Sequence, residues 1–215
     1  MTQDYADAAS LRALLPDNTL SSSYDTILAL MATRASRAID SFLKREPGAF
    51  SVSEETTRYF DGSGNSSLFV GEMASVPSKI EVAESGVIDN ANGIGGTYTE
   101  WDVSDFMVHP RNALAVGSPI LRLDLDLMNG NQSVWYEYPK SVKITSYFGF
   151  TTTANLPDEI SLAANIQGMR YFKRAQQAFA DVGTISSLGQ MKYVQELDPD
   201  VRIILSSPRF QWLSL

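Results

Sequence analysis

The sequence predicts an α+β fold: a helical bundle, built from a long N-terminal helix, a long helix near 157–182 and a short C-terminal helix, that carries a β-rich insertion. Three observations predict it. Apolar residues recur at three- and four-residue steps before residue 50 and again after Leu156. Between those segments, short runs rich in Thr, Val, Ile, Tyr and Trp are broken by Gly, Pro, Asn and Asp, the pattern of strands joined by turns. At the second boundary, residues 141–174 (SVKITSYFGFTTTANLPDEISLAANIQGMRYFKR) pass from an alternating strand through Phe148-Gly149-Phe150 into a helix with a strong start signal. The division that follows is 1–50 as an N-terminal helical part, 51–150 as the β-rich insertion, and 151–215 as a C-terminal helical part and tail. The two helical parts are expected to pack as one body.

Each element has its own warrant. Residues 5–15 place Leu11, Leu14 and Leu15 on one side with Asp7 early, and Pro16-Asp17-Asn18 breaks the segment, so a short helix is expected. Residues 23–45 carry Ile27, Met31, Ala35, Ala38 and Phe42 as one stripe, flanked by Leu28, Ile39 and Leu43. Ser22 or Ser23 can cap it, Asp25 suits its first turn, Lys44 and Arg45 suit its negative end, and Pro47-Gly48 stops it. Such a helix is about 35 Å long at ~1.5 Å per residue. Strands are expected at 56–60, 67–70, 78–84, 97–101, 106–109, 120–127 and 142–147, with turns at 61–64, 90–96, 110–112 and 128–132. In 121–127 the leucines Leu121, Leu123, Leu125 and Leu127 fall on one face and Arg122, Asp124 and Asp126 on the other.

The helical period then returns. Pro157 suits a first turn, Asp158 and Glu159 oppose the helix dipole, and Leu162, Ile166, Met169, Phe172, Ala175 and Phe179 form a stripe that Gly183 ends. Asp198-Pro199 starts a short helix with Val201, Ile204 and Leu205, and Ser206-Ser207-Pro208 ends it. No internal repeat or low-complexity tract interrupts this order.

Composition excludes several function classes. The chain has 215 residues, 44% apolar, enough for a substantial core, and 25 acidic against 17 basic residues give a charge of −8. That balance opposes general adhesion to phosphate backbones or anionic lipid. With no cysteine there is no disulfide framework, thiolate metal site or cysteine nucleophile, a usage compatible with a reducing compartment. The N-terminus lacks the charged and apolar regions of a secretory signal, and no run approaches a membrane span, so no membrane association is expected.

Catalytic signatures are missing. His109, the only histidine, precedes Pro110 at a strand end and reads as a turn residue. Asp124 and Asp126 share a strand face with Arg122, and alternation explains all three as solvent-facing. Glu54 and Glu55 are adjacent and point apart, while Asp198 and Asp200 serve a helix start. Asn92-Gly93-Ile94-Gly95-Gly96 has neither the dinucleotide-binding spacing nor a phosphate-loop lysine, and Asp61-Gly62-Ser63-Gly64 lacks the remaining ligands of a calcium loop; both read as turns. No catalytic residue, metal or cofactor is therefore assigned, and the chain is not expected to be an enzyme. The run Arg170-Tyr171-Phe172-Lys173-Arg174 mixes cations and aromatics, but on a helix the aromatics can be core while the cations stay at the surface. The C-terminal Phe210, Trp212, Leu213 and Leu215 either fold back onto the core or dock on a partner.

Arg58-Tyr59-Phe60-Asp61-Gly62 after the long first helix, the strand-rich middle, Val142-Lys143-Ile144-Thr145 leading to Phe148-Gly149-Phe150, then Leu156-Pro157-Asp158-Glu159-Ile160 and Lys173-Arg174 resemble the head-tail connector, or adaptor, proteins of tailed bacteriophages. The order and spacing of these segments carry the resemblance, over about 11–205; residues 90–101 and 110–118 have no counterpart in it. It implies a structural virion protein, made in the host cytoplasm and placed at the head-tail junction of the virion. It further implies a homo-oligomeric ring, commonly dodecameric, that binds the portal protein and offers the next docking surface to a tail-completion or stopper protein while DNA passes through the channel. The family's C-terminal segment reaches the portal, which makes Phe210, Trp212, Leu213 and Leu215 the candidate portal-binding residues and predicts that deleting 208–215 weakens portal association while leaving a folded subunit. Other readings are a β-rich binding module, for instance one recognising carbohydrate through Trp101, Trp135, Tyr136 and Tyr138, and a hydrolase using a carboxylate pair such as Asp124 and Asp126.

Overall fold

Alternation of apolar and polar residues decides the β-rich part of the chain. In the computed structural model, which describes residues 3–15, 22–83, 97–176, 182–184, 191–193 and 197–211, Ser51–Asn155 form one unit and Thr2–Phe50 with Leu156–Leu215 form another. The first unit holds β1 (Thr56–Phe60), β2 (Ser67–Met73), β3 (Lys79–Val82), β4 (Thr99–Trp101), β5 (Phe106–His109), β6 (Ile120–Leu125) and β7 (Val142–Ser146). They make two antiparallel sheets, ordered β1-β7-β3-β4 and β2-β6-β5. Tyr59, Lys143, Glu81 and Glu100 line up across the first sheet on its polar face, where Lys143 and Lys79 pair with Glu81 at 2.7 and 3.0 Å. Alternate positions point the other way, and Ile80, Val82, Val142 and Ile144 join Leu68, Val70, Leu123 and Leu125 of the second sheet in one core. Val52 N–H donates to the Thr151 carbonyl and Thr153 N–H to the Val52 carbonyl, both at 3.0 Å, so the chain arrives in this unit and leaves it side by side.

Strand β6 is shorter than the leucine pattern predicts. It ends at Leu125 because the Asp126 carboxylate accepts bonds from the amides of Met128 and Asn129 at 3.0 and 3.1 Å and turns the chain, which leaves Leu127 exposed. At its other end the register shifts between Phe69 and Met73, and Ile120 takes the core position opposite Met73 while Leu121 is only half-buried. Glu84 and the expected turn at 90–96 lie outside the described residues.

The second unit contains α1 (Ala8–Ala13), α2 (Asp25–Phe42), α3 (Asp158–Gln176) and α4 (Pro199–Leu205), together with a hairpin of β8 (Val182–Thr184) and β9 (Met191–Tyr193). Asp7 caps α1 by accepting from the Ser10 amide at 2.7 Å, with the Ser10 hydroxyl accepting in return from the Asp7 amide at 3.0 Å. Leu11, Leu28, Met31, Ala32, Ala35, Met169, Tyr171 and Phe172 form the core where α1, α2 and α3 meet. A Cβ on Gly168 would lie 3.0 and 3.1 Å from the two Leu11 methyls, so glycine there lets α1 close on α3.

Several helical expectations are corrected. Ser22 and Ser23 belong to a 3₁₀ turn, and Tyr24 holds the cap position of α2 without a side-chain bond. The helix stops at Phe42, with Lys44 in the left-handed conformation (φ 55°), so its 18 residues span about 27 Å. Its buried face runs through Leu28, Met31, Ala32, Ala35, Ser36, Ile39 and Asp40, and Ile27 and Phe42 are exposed. In α3 the buried face runs through Ile160, Ala163, Ala164, Gln167, Gly168, Met169, Tyr171 and Phe172, so Met169 and Phe172 of the expected stripe are buried while Leu162 is exposed. The stripes chosen by residue size are rotated because Ala, Gly and small polar residues line the seam where the helices approach closely. Leu14 is likewise exposed. The helix expected near 157–182 is described only to Gln176; Phe179 lies outside the described residues, and Val182 and Gly183 are in β8, not in a helix. Asp198 caps α4 through the Asp200 amide at 3.0 Å, as its sequence predicts, and Pro16-Asp17-Asn18 lie outside the described residues.

Candidate functional site

The residues that could have carried chemistry are engaged elsewhere. Asp124 receives the Arg122 guanidinium at 2.9 Å and the His109 Nε2 at 3.0 Å across β5 and β6, while Asp126 is consumed by its own turn. A carboxylate pair poised for hydrolysis needs one acid and one base held apart in environment, and here both have structural partners. Glu55 accepts from the Ser78 hydroxyl at 3.0 Å. Among the described residues no group of three or more His, Asp or Glu is placed to hold a metal ion, and no helix is long and apolar enough to cross a membrane.

The aromatic platform of a carbohydrate site does not form. Trp101 and Trp135 are buried and stack on each other with ring centroids 5.2 Å apart and planes 29° apart, and the Trp135 indole donates to the Ser66 carbonyl at 3.2 Å. Tyr136 packs against Trp101, and Tyr138 alone of the set is exposed. These rings fill the core between the sheets. The basic-aromatic run behaves as its helical spacing predicts: Tyr171 and Phe172 are core, and Lys173 is exposed.

The C-terminal candidates separate. Phe210 is 1% exposed, with its ring edge-on to Phe50 at 5.8 Å, and the Arg45 guanidinium donates to its carbonyl at 2.5 Å while lying over the Phe50 ring. Gln211 Nε2 donates to the Leu205 carbonyl at 2.9 Å and closes the turn after α4. Trp212, Leu213 and Leu215 lie outside the described residues.

One site escaped the sequence reading. Asp40, 1% exposed on the seam of α2, accepts from the Tyr5 hydroxyl and from the Gly48 amide at 3.1 Å, with Arg37 at 3.3 Å. The Tyr5 amide in turn donates to Ser36 at 2.9 Å, and the Phe50 amide donates to the Tyr5 hydroxyl at 3.3 Å. This network ties the residues before α1 to both ends of the turn after α2. Its trace in the sequence is Ser36 and Asp40 at i, i+4 inside an apolar face. Burial, outweighing the hydrogen bonds and Arg37, raises the Asp40 pKa, and burial with the adjacent carboxylate raises that of Tyr5. An acid raised on folding contributes stability that is complete below its unfolded pKa, about 3.9, and is lost as pH rises through the folded value. Asp40→Asn cannot titrate. The melting temperature of the wild type minus that of this variant is therefore expected to fall as pH rises from about 4; thermal melts along a pH series check it, and a difference that grows with pH contradicts it.

Two surface features complete the geometry. In the helical unit, Leu14, Ile166, Met169, Arg170, Lys173, Arg174 and Asp198 line an open groove of about 560 Å³, Arg170 and Asp198 being paired at 3.1 Å. In the β-rich unit, Leu127 and Met128 in the turn after β6 are exposed, and so is Val103.

The fold and its side chains thus define a two-unit α+β protein whose candidate acids and aromatics hold its structure together. Neither a family profile nor a curated protein sequence matches the chain. Among solved structures it is similar to a chain in the neck of an empty gene transfer agent particle computed with C6 symmetry, with a TM-score of 0.56 at 12% identity over 97% of this chain and 90% of that one. A chain in the virion of the native gene transfer agent particle gives a TM-score of 0.53 at 14% identity over the same shares. At these identities the likeness establishes a shared fold.

Proposed function

We propose that this protein is a structural virion component, a head-tail connector of the adaptor type that forms a ring between portal and tail and lines part of the path taken by DNA. The observation that carries the reading is the match in fold, over nearly the whole chain, to chains from the neck and the virion of a phage-like particle. The architecture is read as a helical body, 1–50 with 151–215, carrying a β-rich insertion at 51–150, and the side-by-side arrival and departure of the chain at Val52 and Thr153 supports it. The protein acts without catalysis. Its partners are further copies of itself, most readily twelve, the portal protein, and a tail-completion or stopper protein. The charge of −8 suits a channel wall, since an acidic surface repels phosphate and keeps DNA from sticking during passage.

The portal contact is assigned to Trp212, Leu213 and Leu215, while Phe210, buried in the core, is kept as a structural residue. Because Phe210 is core, the deletion that tests this removes 212–215 and keeps Phe210 and Gln211. That variant is expected to keep the wild-type melting temperature and to bind immobilised portal rings at least tenfold more weakly. Unaltered binding by a folded variant contradicts the assignment.

A further inference from the structure

Asn129 and Gly130 are adjacent in the turn after β6, and the pair carries a chemistry of its own. The main-chain nitrogen of the residue after an asparagine can attack the side-chain carboxamide carbon, and glycine, with no Cβ to crowd that nitrogen, lets it approach most freely. The fold requires this glycine. A Cβ on Gly130 would lie 2.7 Å from the Asp126 carbonyl oxygen and 3.1 Å from the Asp105 Cα. Asn129 is exposed, so water reaches it.

The turn holds both reacting groups. The Gly130 amide donates to the Asp126 carbonyl at 2.8 Å, and the Asn129 side-chain nitrogen donates to the Asp126 carboxylate at 3.1 Å. The other carboxylate oxygen accepts from the amides of Met128 and Asn129 at 3.0 and 3.1 Å. The Asn129 side chain and then these two amides hold the Asp126 carboxyl below the usual carboxylate range, so it is an ionised acceptor at neutral pH. The Asp126 amide donates to the Asp105 carbonyl at 2.8 Å, and the buried Asp105 carboxylate accepts from the Asn131 amide at 2.7 Å, which fixes the turn at both ends.

We infer that Asn129–Gly130 is a site of spontaneous deamidation whose rate Asp126 restrains. In the reaction the Gly130 nitrogen loses its proton to a solvent base and bonds to the Asn129 Cγ, the Cγ–Nδ2 bond breaks, and the amide nitrogen takes up a proton and leaves as ammonia. Water then opens the cyclic imide at either carbonyl and leaves aspartate or isoaspartate at 129, with nothing oxidised or reduced. Ring closure breaks the bond from the Gly130 amide to the Asp126 carbonyl and frees the carboxamide from the Asp126 carboxylate, whose charge also opposes loss of the Gly130 proton; each raises the barrier. The product sets a second carboxylate beside Asp126 and removes a donor, and isoaspartate adds a methylene to the backbone of a turn fixed at both ends. The modification therefore loosens the segment that carries the exposed Leu127 and Met128. This inference stands independently of the connector reading.

Incubation of the whole protein in mildly alkaline buffer, with aspartate and isoaspartate at 129 quantified by peptide mapping, tests it against a synthetic peptide of residues 125–132 as the unrestrained reference. Wild type is expected to deamidate at 129 at least tenfold more slowly than the peptide, and Asp126→Ala to lose most of that protection. The Gly130 amide of wild type is expected to exchange hydrogen more slowly than that of the peptide. Wild-type deamidation as fast as the peptide's overturns the inference, as does an Asp126→Ala variant that keeps both the wild-type melting temperature and the wild-type rate. If Asp126→Ala does not fold, hydrogen exchange in wild type decides: a protected Gly130 amide supports the restraint and an unprotected one overturns it. Asn92–Gly93, the other Asn-Gly pair of the chain, falls in a separate tryptic peptide and does not enter the comparison.

Discussion

Gly62→Ala is expected to destabilise the β-rich unit by about 4 kcal/mol, among the largest losses for adding one methyl group. The residue follows β1, and its amide donates to the Ser141 hydroxyl at 3.0 Å. Ser141 in turn donates to the Tyr136 carbonyl at 2.7 Å, so the turn after β1 and the 136–141 stretch close on one point. A Cβ at Gly62 would lie 1.8 Å from the Tyr136 carbonyl oxygen and 2.7 Å from the Ser141 hydroxyl. These are backbone and a buried hydroxyl, with no flexible chain end to give way. Gly71→Ala supplies the comparison: nothing lies within 4 Å of its added Cβ, but its φ of +74° strains any other residue, so a loss of about 1 kcal/mol is expected. Urea denaturation of both variants checks the pair, and a Gly62→Ala loss no larger than that of Gly71→Ala contradicts the packing described.

Phe210→Ala is expected to cost about 3–5 kcal/mol, the range for deleting a fully buried phenylalanine. The ring sits edge-on to Phe50, and the Arg45 guanidinium joins the two by donating to the Phe210 carbonyl while covering Phe50. Phe50 also packs edge-on to Tyr5 at 5.8 Å, so the loss reaches the buried Asp40 network. A melting temperature unchanged by Phe210→Ala, with portal binding abolished, contradicts its structural role and makes it a contact residue. The expectation that removal of 208–215 leaves a folded subunit is revised for the same reason.

Much of the architecture is legible in residue order, and the reasons differ by element. Strands β1 and β5 match their predicted limits because turn residues, Asp61-Gly62 and Pro110, stand directly after them. The alternation predicts a longer β6 than forms, since Leu127 continues it after Asp126 has already turned the backbone. Large apolar residues do not mark the buried helix faces by themselves; Ala32, Ala35, Ala163, Ala164 and Gly168 face the seam because close helix approach favours small side chains. Trp101 and Trp135 looked like an exposed platform only while the pairing of β3 with β4 was unknown. Asp40 stayed hidden because its partners Tyr5 and Gly48 are remote in sequence, and pattern along one helix cannot reveal them.

Whether this chain is a subunit of a connector ring is decided by native mass spectrometry with and without purified portal rings. A subunit whose interfaces form in order is weakly self-associating alone. Monomers are expected at low concentration and, once portal is added, a complex heavier than the portal by one closed ring of this chain. Portal rings that keep their own mass in the presence of excess folded protein would contradict it.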